Sequence, residues 1–471
     1  MKLCFLIDEA IGSQTTNIKA ALFELALRIG LPFSFHKSAD SLPAEDFVIS
    51  YGAQVPDNFS GLELPYLQHG TYDSLAINGT IIWTLSQGET HDVVKGSINL
   101  LRFEHENLNS PRRDEKGRIV PTEHILFQKG LLQTPLIENN AAYISNQIEN
   151  IIGKRIDRMY PWQEGSYVVA MTHDVDGPEL HSLFARNRSA FIGLIKKNKF
   201  EKDSYLQSRW TRKYKAIDPY WNFDVWMEME KQWGLKSAFY FYTGGTPNGK
   251  RHKNDPHYDF KNSEYINAAN EINQAGWEVG LHYGINVNND IAYAEAIYQI
   301  TSKVNQKQVG GRAHYWSIDK GHLPLTSFEK MEDGELYYDA SVSPQGLGFR
   351  NGSMLPISPS LFNKGVSAPL FIVLPTAIMD AYCMKRYSTS ETPKEDAVKL
   401  FRQIKEANGM IVLDWHVRTA HNLGAWQGFL NPLHELMTEF NSDERGKAML
   451  PSEIVEAWTK YSKQLFKGDN T

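Results

Sequence analysis

The residues with the clearest chemical potential are two aspartates that close a short apolar run. Residues 166–177 read SYVVAMTHDVDG, so Asp174 and Asp176 directly follow a predicted strand. In parallel α/β folds, functional side chains lie at the carboxyl ends of strands. One of two such carboxylates can bind a metal ion while the other stays ionised and accepts a proton. The alternative is a turn or helix cap, since Asp and Gly favour both.

Three further apolar runs end in polar side chains of the same chemical kind. These are residues 276–288 with His282, residues 309–319 with Arg312 and His314, and residues 409–422 with Asp414, Trp415 and His416. A lone histidine after a strand is more often structural, but four such ends in one sheet favour a shared site. One aspartate with two histidines is a recognised ligand set for a catalytic divalent metal.

The elements that must position these residues alternate between strands and helices. Predicted strands of the C-terminal part are residues 167–171, 237–242, 277–281, 309–311, 337–339, 371–374 and 410–413. Helical patterns over residues 225–233, 264–275 and 394–406 lie between several of them. This βα alternation predicts a distorted (β/α) barrel over residues 165–465.

The first part of the chain predicts a smaller α/β domain of unknown role over residues 1–125, joined by a connector over residues 126–164. Its predicted strands are residues 3–7, 46–50, 66–68 and 80–85, with a helix over residues 16–29. No glycine-rich phosphate loop follows the first strand, which argues against a nucleotide-dependent enzyme.

Composition restricts the class of protein and its location. The chain has 471 residues, 42% of them hydrophobic, and a net charge of −6 with mixed signs, which argues against a nucleic-acid binder. The chain has only two cysteines, far apart, and its N-terminal apolar run stops at Asp8. No apolar stretch is long enough for a transmembrane segment. These features predict a cytoplasmic protein.

One local charge run stands apart from this mixed background. Residues 186–215 hold ten Lys or Arg residues with interleaved aromatics. They predict either a surface for an anionic partner, such as a phosphate-bearing substrate, or simply a solvated helix or loop. The solvated interpretation is the more common one for such runs.

Six segments of the chain resemble, in their order, the polysaccharide deacetylases of the NodB-homology type, carbohydrate esterase family four. The segments are THDVDG, EVGLHYG, GGRAHYW, YYDASVS, GFRNG and VLDWH. The resemblance covers residues 165–465 well. A long bacterial subgroup with an N-terminal extension is similar over residues 90–160, including DEKGR at residues 114–118. The fold implied is the same distorted barrel.

The resemblance implies a role for each matching residue. Asp174 would be the catalytic base, Arg312 would hold it ionised, and His416 would be the general acid. Asp176 and His282 would bind a divalent metal, Zn²⁺ or another first-row ion. The family's second histidine, four residues after the first, is here Asn286. The third ligand would then be His314, the best substitute, or Asn286 itself, whose amide oxygen binds zinc more weakly than imidazole does.

Four further residues are candidates for substrate binding. Trp316 and Trp415 stand next to motif residues and could stack on sugar rings, or belong to the core. Asp339 and Arg350 lie in segments that resemble the family.

The function implied is removal of an acetyl group from an N-acetylated sugar, in a cytoplasmic precursor of surface polysaccharide. Two alternatives stay open. The barrel could be a non-catalytic carbohydrate-binding or scaffold protein, because fold does not imply function. It could also be a cyclic-amide hydrolase or an O-deacetylase, which would use the same base, metal and acid.

Overall fold

The computed structural model describes residues 1–180, 218–244, 251–318 and 323–470. The basic stretch 186–215, for which both an anionic partner and a simply solvated surface were considered, lies outside these ranges. Within them, no helix is long and apolar enough to cross a bilayer.

The N-terminal region is built on a five-stranded parallel sheet. Its strands are β1 (Leu3–Ile7), β2 (Phe33–His36), β3 (Phe47–Tyr51), β4 (Gly61–Leu64) and β17 (Phe466–Asn470). The strand order is β17-β2-β1-β3-β4. Every residue of β1, β2 and β3 is buried, as expected for parallel strands covered on both faces. The last described residues of the chain therefore complete the sheet that its first residues begin.

An antiparallel sheet follows in sequence, made of β5 (Thr71–Ile77), β6 (Thr80–Gln87) and β7 (Thr90–Asp92). Asn78 and Gly79 join β5 to β6 with φ values of 50° and 80°. Both values lie in the left-handed region, which Asn and Gly tolerate best and which a two-residue hairpin turn requires.

Four helices of this region are α1 (Thr15–Ile29), α2 (Val93–Leu101), α3 (Ile125–Gln128) and α4 (Leu136–Ile152). Helix α1 packs against α2 and α4. It ends at Gly30, whose φ is 81° and where an added Cβ would lie 2.6 Å from the Met159 carbonyl oxygen. Both the left-handed backbone and the close approach require glycine there.

The C-terminal region is built on a curled, wholly parallel sheet. Its strands are β8 (Tyr167–Val175), β9 (Ser237–Phe241), β10 (Glu278–Tyr283), β11 (Gly311–Ala313), β12 (Tyr338–Asp339), β13 (Ile372–Val373), β14 (Ile378–Met379), β15 (Met410–Asp414) and β16 (Gly446–Ala448). Eight of them follow the order β13-β12-β11-β10-β9-β8-β15-β14, and β16 pairs with the start of β8. No pairing joins β13 to β14 in the described residues, so the sheet is an open, distorted barrel. The predicted fold class is confirmed.

Helices cover the outside of this sheet. They are α5 (Phe223–Trp233), α6 (Ser263–Gln274), α7 (Asp290–Thr301), α8 (Pro324–Asp333), α9 (Ser360–Lys364), α10 (Pro393–Glu406), α11 (Leu430–Asn441) and α12 (Pro451–Leu465). Asn262 and Asn289 cap α6 and α7 by accepting from backbone N–H groups two and three residues on. Helix α10 buries Ala397, Leu400, Phe401 and Ile404, the spacing of one helical face.

A buried cluster around Arg28 joins the N-terminal region to the barrel. Arg28 on α1, with its side chain 1% exposed, donates to Glu24 (2.6 Å) and Glu138 (2.9 Å). It also reaches Ser353 Oγ at 2.8 Å, on the barrel side. A buried guanidinium is tolerated when carboxylates and other acceptors satisfy its donors in this way.

The first motif strand sends alternate side chains to opposite faces. Thr172 and Asp174 face Arg312, whereas His173 faces α5 and packs on Trp226. His173 Nε2 lies 2.6 Å from the Glu230 carboxylate, and both side chains are fully buried.

Glu230 is the centre of a second buried network. Besides His173, it accepts from Ser237 Oγ at 2.9 Å and from the Trp277 indole N–H. Replacing Glu230 with alanine would strand these donors in the core, so we expect the free energy of unfolding to fall by about 3–5 kcal/mol. Urea unfolding followed by circular dichroism would measure the loss.

The matched control is Glu228→Ala on the same helix, where the side chain is 65% exposed. This variant should change the free energy of unfolding by no more than about 0.5 kcal/mol. Equal losses in the two variants would show that the buried network contributes nothing specific.

Candidate active site

The four predicted strand ends meet at one edge of the barrel. Strands β11, β10, β9, β8 and β15 are consecutive neighbours in the sheet, and all are parallel. Their carboxyl ends carry Arg312, His282, Asp174 and Asp414, followed closely by His314, Asp176 and His416. Side chains as far apart in sequence as Asp176 and Arg418, 242 positions from each other, are therefore in contact.

Arg312 is the central cation of this edge and is completely buried. Its guanidinium donates to Asp174 Oδ1 (3.0 Å) and Thr172 Oγ1 (2.7 Å). Its other nitrogens donate to the Ala340 carbonyl (3.0 Å) and to Thr376 Oγ1 (3.1 Å). With every side of the guanidinium engaged, its position is fixed and its charge is directed at Asp174.

Two carboxyl groups lie beside Arg312, and their environments push their pKa values apart. Burial alone would raise the pKa of Asp174, but the neighbouring cations Arg312 and His416 oppose burial and hold that pKa below its usual value. Burial raises the pKa of Asp414 to about 8, against the lowering effect of Arg312 at 3.0 Å. Near neutral pH, Asp174 therefore carries the negative charge and Asp414 is mostly protonated.

His282 is a buried imidazole, and neither of its ring nitrogens has a hydrogen-bond partner among the described residues. Its Nδ1 lies 3.8 Å from Asp174 Oδ2, and its ring centroid lies 5.0 Å from that of His314. Burial lowers the pKa of His282 to about 3, so the ring is neutral near pH 7. A buried polar group is normally hydrogen-bonded, so unpaired nitrogens here are what a metal ligand would present.

Asp176 lies between two histidines. Its Oδ2 is 3.7 Å from His314 Nε2 and 3.6 Å from His416 Nε2. Its Oδ1 accepts from Arg418, which sequence reasoning did not single out. Asp176, His282 and His314 thus offer one carboxylate and two imidazoles, the donor types that bind Zn²⁺ or a similar ion.

Asn286, the other candidate for a third ligand, lies half-buried on the turn after β10. His314 comes instead from the end of the neighbouring strand and faces Asp176 directly.

His416 is held by a carboxylate that the sequence did not mark as a site residue. Asp380, just after β14, accepts from the His416 backbone N–H (2.9 Å) and lies 3.0 Å from its Nδ1. Burial would lower the pKa of His416, but Asp380 outweighs it and raises the pKa to about 10. The imidazole is therefore protonated at neutral pH, with Nε2 turned toward Asp176. The sequence signal for Asp380 was its place in a segment, with Leu374 and Pro375, that resembles the long bacterial subgroup.

The structure does not bring together the four residues predicted to bind substrate. Trp415 is fully buried, and its indole donates to the Phe429 carbonyl (3.0 Å), so it belongs to the core. Asp339 is fully buried and bonded to the hydroxyls of Tyr283 and Ser341. Neither position agrees with a sugar contact.

The remaining two substrate candidates support other parts of the protein. Trp316 is 3% exposed and packs 5.0 Å below the Arg312 guanidinium, so it backs the site without lining it. Arg350 forms a two-bonded ion pair with Glu106 at 2.6 and 2.9 Å. It links the N-terminal region to the barrel, because Glu106 precedes the barrel in the chain.

A second group of potential ligands surrounds that same ion pair. The buried side chains of His105, Glu106 and His124 offer ligand atoms within 4.8 Å of one another, so they could hold a metal ion. Both oxygens of Glu106 already accept from Arg350, and His105 Nε2 lies 3.1 Å from the Arg350 carbonyl. A cation would compete with a guanidinium there, which makes this group the poorer metal site.

No model of a known protein family and no curated protein matches the chain. Among solved structures, a protein assigned as a polysaccharide deacetylase from Mycobacterium smegmatis is similar, with 15% identity over 66% of this chain and 95% of that one, and a TM-score of 0.40. Puue allantoinase is 12% identical over 64% and 94% of the two chains, with a TM-score of 0.41. A probable polysaccharide deacetylase from Pseudomonas aeruginosa PAO1 is 12% identical over 66% and 96%, with a TM-score of 0.39.

Proposed function

We propose that this chain is a metal-dependent hydrolase that removes the acetyl group from an N-acetylated sugar. The observation that carries the proposal is a pair of groups at one sheet edge. Asp174 is kept ionised beside Arg312, and His416 is kept protonated by Asp380. Hydrolysis of an amide needs such a base and such an acid at the same time.

Asp176, His282 and His314 would hold the divalent ion. Zinc suits a set of one carboxylate and two imidazoles with positions left open for substrate. Such an ion supplies Lewis-acid polarisation of the acyl carbonyl and stabilises the negative charge that develops on its oxygen.

The chain's own residues would manage the protons. Asp174 would accept a proton from water as the oxygen–carbon bond forms. His416 would donate its Nε2 proton to the sugar nitrogen as the carbon–nitrogen bond breaks, so that a neutral amine and acetic acid leave. The acetic acid would then ionise to acetate in solvent, Asp174 would release its proton, and His416 would take one up. Arg312 would keep Asp174 anionic until it takes that proton.

The narrower substrate is proposed from the predicted cytoplasmic location. A precursor of surface polysaccharide, carrying its sugar on a nucleotide or lipid, suits that location better than mature cell wall. Assays with an N-acetylated sugar nucleotide, an N-acetylated oligosaccharide, an O-acetylated sugar and a cyclic amide would separate this substrate from the alternatives.

The first test is the metal content of the purified protein. We expect about one divalent ion per chain in the wild type, the stoichiometry of a single site with three protein ligands. His282→Ala and His314→Ala should each lose most of it, because two ligands bind far more weakly than three. Elemental analysis measures the content, and acetate release from the N-acetylated substrates measures activity.

Two further variants make the result specific. His434→Ala removes an exposed histidine on α11 and should keep the metal. Asn286→Ala should also keep it; loss there, with retention in His314→Ala, would move the third ligand to Asn286. A wild type that takes up no metal when supplied with zinc would sink the enzyme proposal and favour the scaffold alternative.

A further inference from the structure

Asp255 is a buried carboxylate that the proposed mechanism does not use. It lies in the segment after β9, outside every motif, and is 2% exposed. Its Oδ1 is 3.2 Å from His314 Nδ1, on the side of the ring opposite to Asp176. The two residues are 59 positions apart in sequence.

Backbone groups of two loops hold Asp255 in place. Its Oδ1 accepts from the Ile285 N–H at 3.0 Å, and its Oδ2 accepts from the His252 N–H at 3.3 Å. Gly284 is also needed, because a Cβ there would lie 2.5 Å from Asp255 Oδ2. The loops after β9, β10 and β11 therefore meet on this one side chain.

The hydrogen bond decides which nitrogen of His314 carries the proton. An ionised carboxylate can only accept, so Nδ1 must be the protonated nitrogen. Nε2 is then left with its lone pair, 3.7 Å from Asp176 Oδ2. In metal sites, a carboxylate bonded to the far nitrogen of a ligating imidazole fixes both the tautomer and the ring orientation.

The ring of His314 is further confined by its neighbours. Tyr315 packs on it with ring centroids 4.1 Å apart, and His282 lies 5.0 Å away. Tyr315 and Trp316 have φ values of 58° and 57°. Non-glycine residues rarely adopt this left-handed conformation, and such conformations persist where the surroundings enforce them, often at functional sites.

We propose that Asp255 is the positioning residue that makes His314 a metal ligand, by fixing its Nε2 toward Asp176. This inference rests on the proposed function. It explains how the imidazole of His314, which follows β11, can bind the same ion as His282 at the end of β10, although the two histidines do not lie on one turn of the chain.

The test is zinc affinity, measured by competition with a chelating dye, in a double-mutant cycle. Asp255→Asn should weaken zinc binding by about 10–100-fold, the usual effect of losing such a partner. In the His314→Ala background, the same substitution should have no further effect, because its only route to the metal is gone. Asp259→Asn, an exposed aspartate in the same segment, should leave affinity unchanged.

Two spectroscopic readouts separate positioning from general structural support. In metal-free protein with ¹⁵N-labelled histidine, His314 should be the Nδ1–H tautomer in the wild type and a mixture in Asp255→Asn. The electronic spectrum of the Co²⁺-substituted protein should also change in this variant, while its melting temperature stays close to that of the wild type.

The outcomes distinguish this inference from the proposed function. The wild type could bind zinc tightly while Asp255→Asn has no effect on affinity, or has the same effect in the His314→Ala background as in the wild type. Either result would overturn the role of Asp255 and leave the hydrolase proposal intact. No zinc binding by the wild type would remove both. An Nε2–H tautomer in the wild type would contradict the inference whatever the zinc result.

Discussion

Asp174→Asn is expected to slow acetate release by about 10²–10⁴-fold, the usual contribution of a general base. Asparagine keeps the shape of the side chain and can still accept from Arg312, but it cannot take a proton. The three proposed metal ligands are untouched, so metal content should stay at the wild-type level. Steady-state kinetics on an N-acetylated sugar, beside elemental analysis of the same preparations, would measure both effects.

Asp414→Asn is the matched comparison, because Asp414 lies at the same 3.0 Å from Arg312 as Asp174 does. Its pKa, raised by burial to about 8, leaves it mostly protonated at pH 7. An amide imitates a neutral carboxyl group, so the loss of activity should be much smaller than for Asp174→Asn. If Asp414→Asn were the more damaging variant, the assignment of the base would move to Asp414.

The sequence predicted those elements whose apolar runs are continuous. Strand β1 begins and ends at the predicted residues, and α1 is one residue longer than predicted. Every predicted barrel strand has a counterpart in the sheet. Buried parallel strands lack the alternation of half-exposed ones, so a short apolar run bounded by polar residues was the informative pattern.

Errors in the N-terminal region have identifiable causes. Residues 66–68 were predicted as a strand, but they lie in a loop; the strand of this region is Gly61–Leu64, whose residues are mostly half-exposed. Strand β5 was missed, although the Asn78–Gly79 pair is a strong hairpin signal. Strand β17 had no local signal, because its place is fixed by pairing with β2, more than 400 residues earlier.

At the site, the chain order of motifs predicted which side chains would meet, but not what supports them. Asp174, Asp176, His282, Arg312, His314 and His416 all lie at the predicted edge. Asp255 and Asp380 stand in irregular segments, where an aspartate is usually a turn former. Each carboxylate reaches its histidine only in the folded chain, so the sequence did not predict that Asp255 contacts His314 or that Asp380 contacts His416. The metal-ligand and catalytic roles themselves stay predictions.

Asp380→Asn should move the alkaline limit of activity to lower pH. The proposed acid works only while His416 is protonated, so wild-type kcat/KM should hold through neutral pH and fall as pH rises through about 10, the pKa of His416. Asp380 is what raises that pKa against burial, so an uncharged asparagine lets it drop. Activity in weakly alkaline buffer should then fall steeply, with little change near the acidic end of the profile.

The measurement is kcat/KM against pH for the wild type, Asp380→Asn and His416→Gln. His416→Gln removes the titrating acid, so its residual activity should no longer show this alkaline limb. Asp380→Asn should keep the limb and displace it, which distinguishes a shifted pKa from a damaged site. An alkaline limb at the same pH in the wild type and Asp380→Asn would mean that another group donates the proton. Asp380 would then only support the backbone at His416, by accepting a hydrogen bond from its N–H.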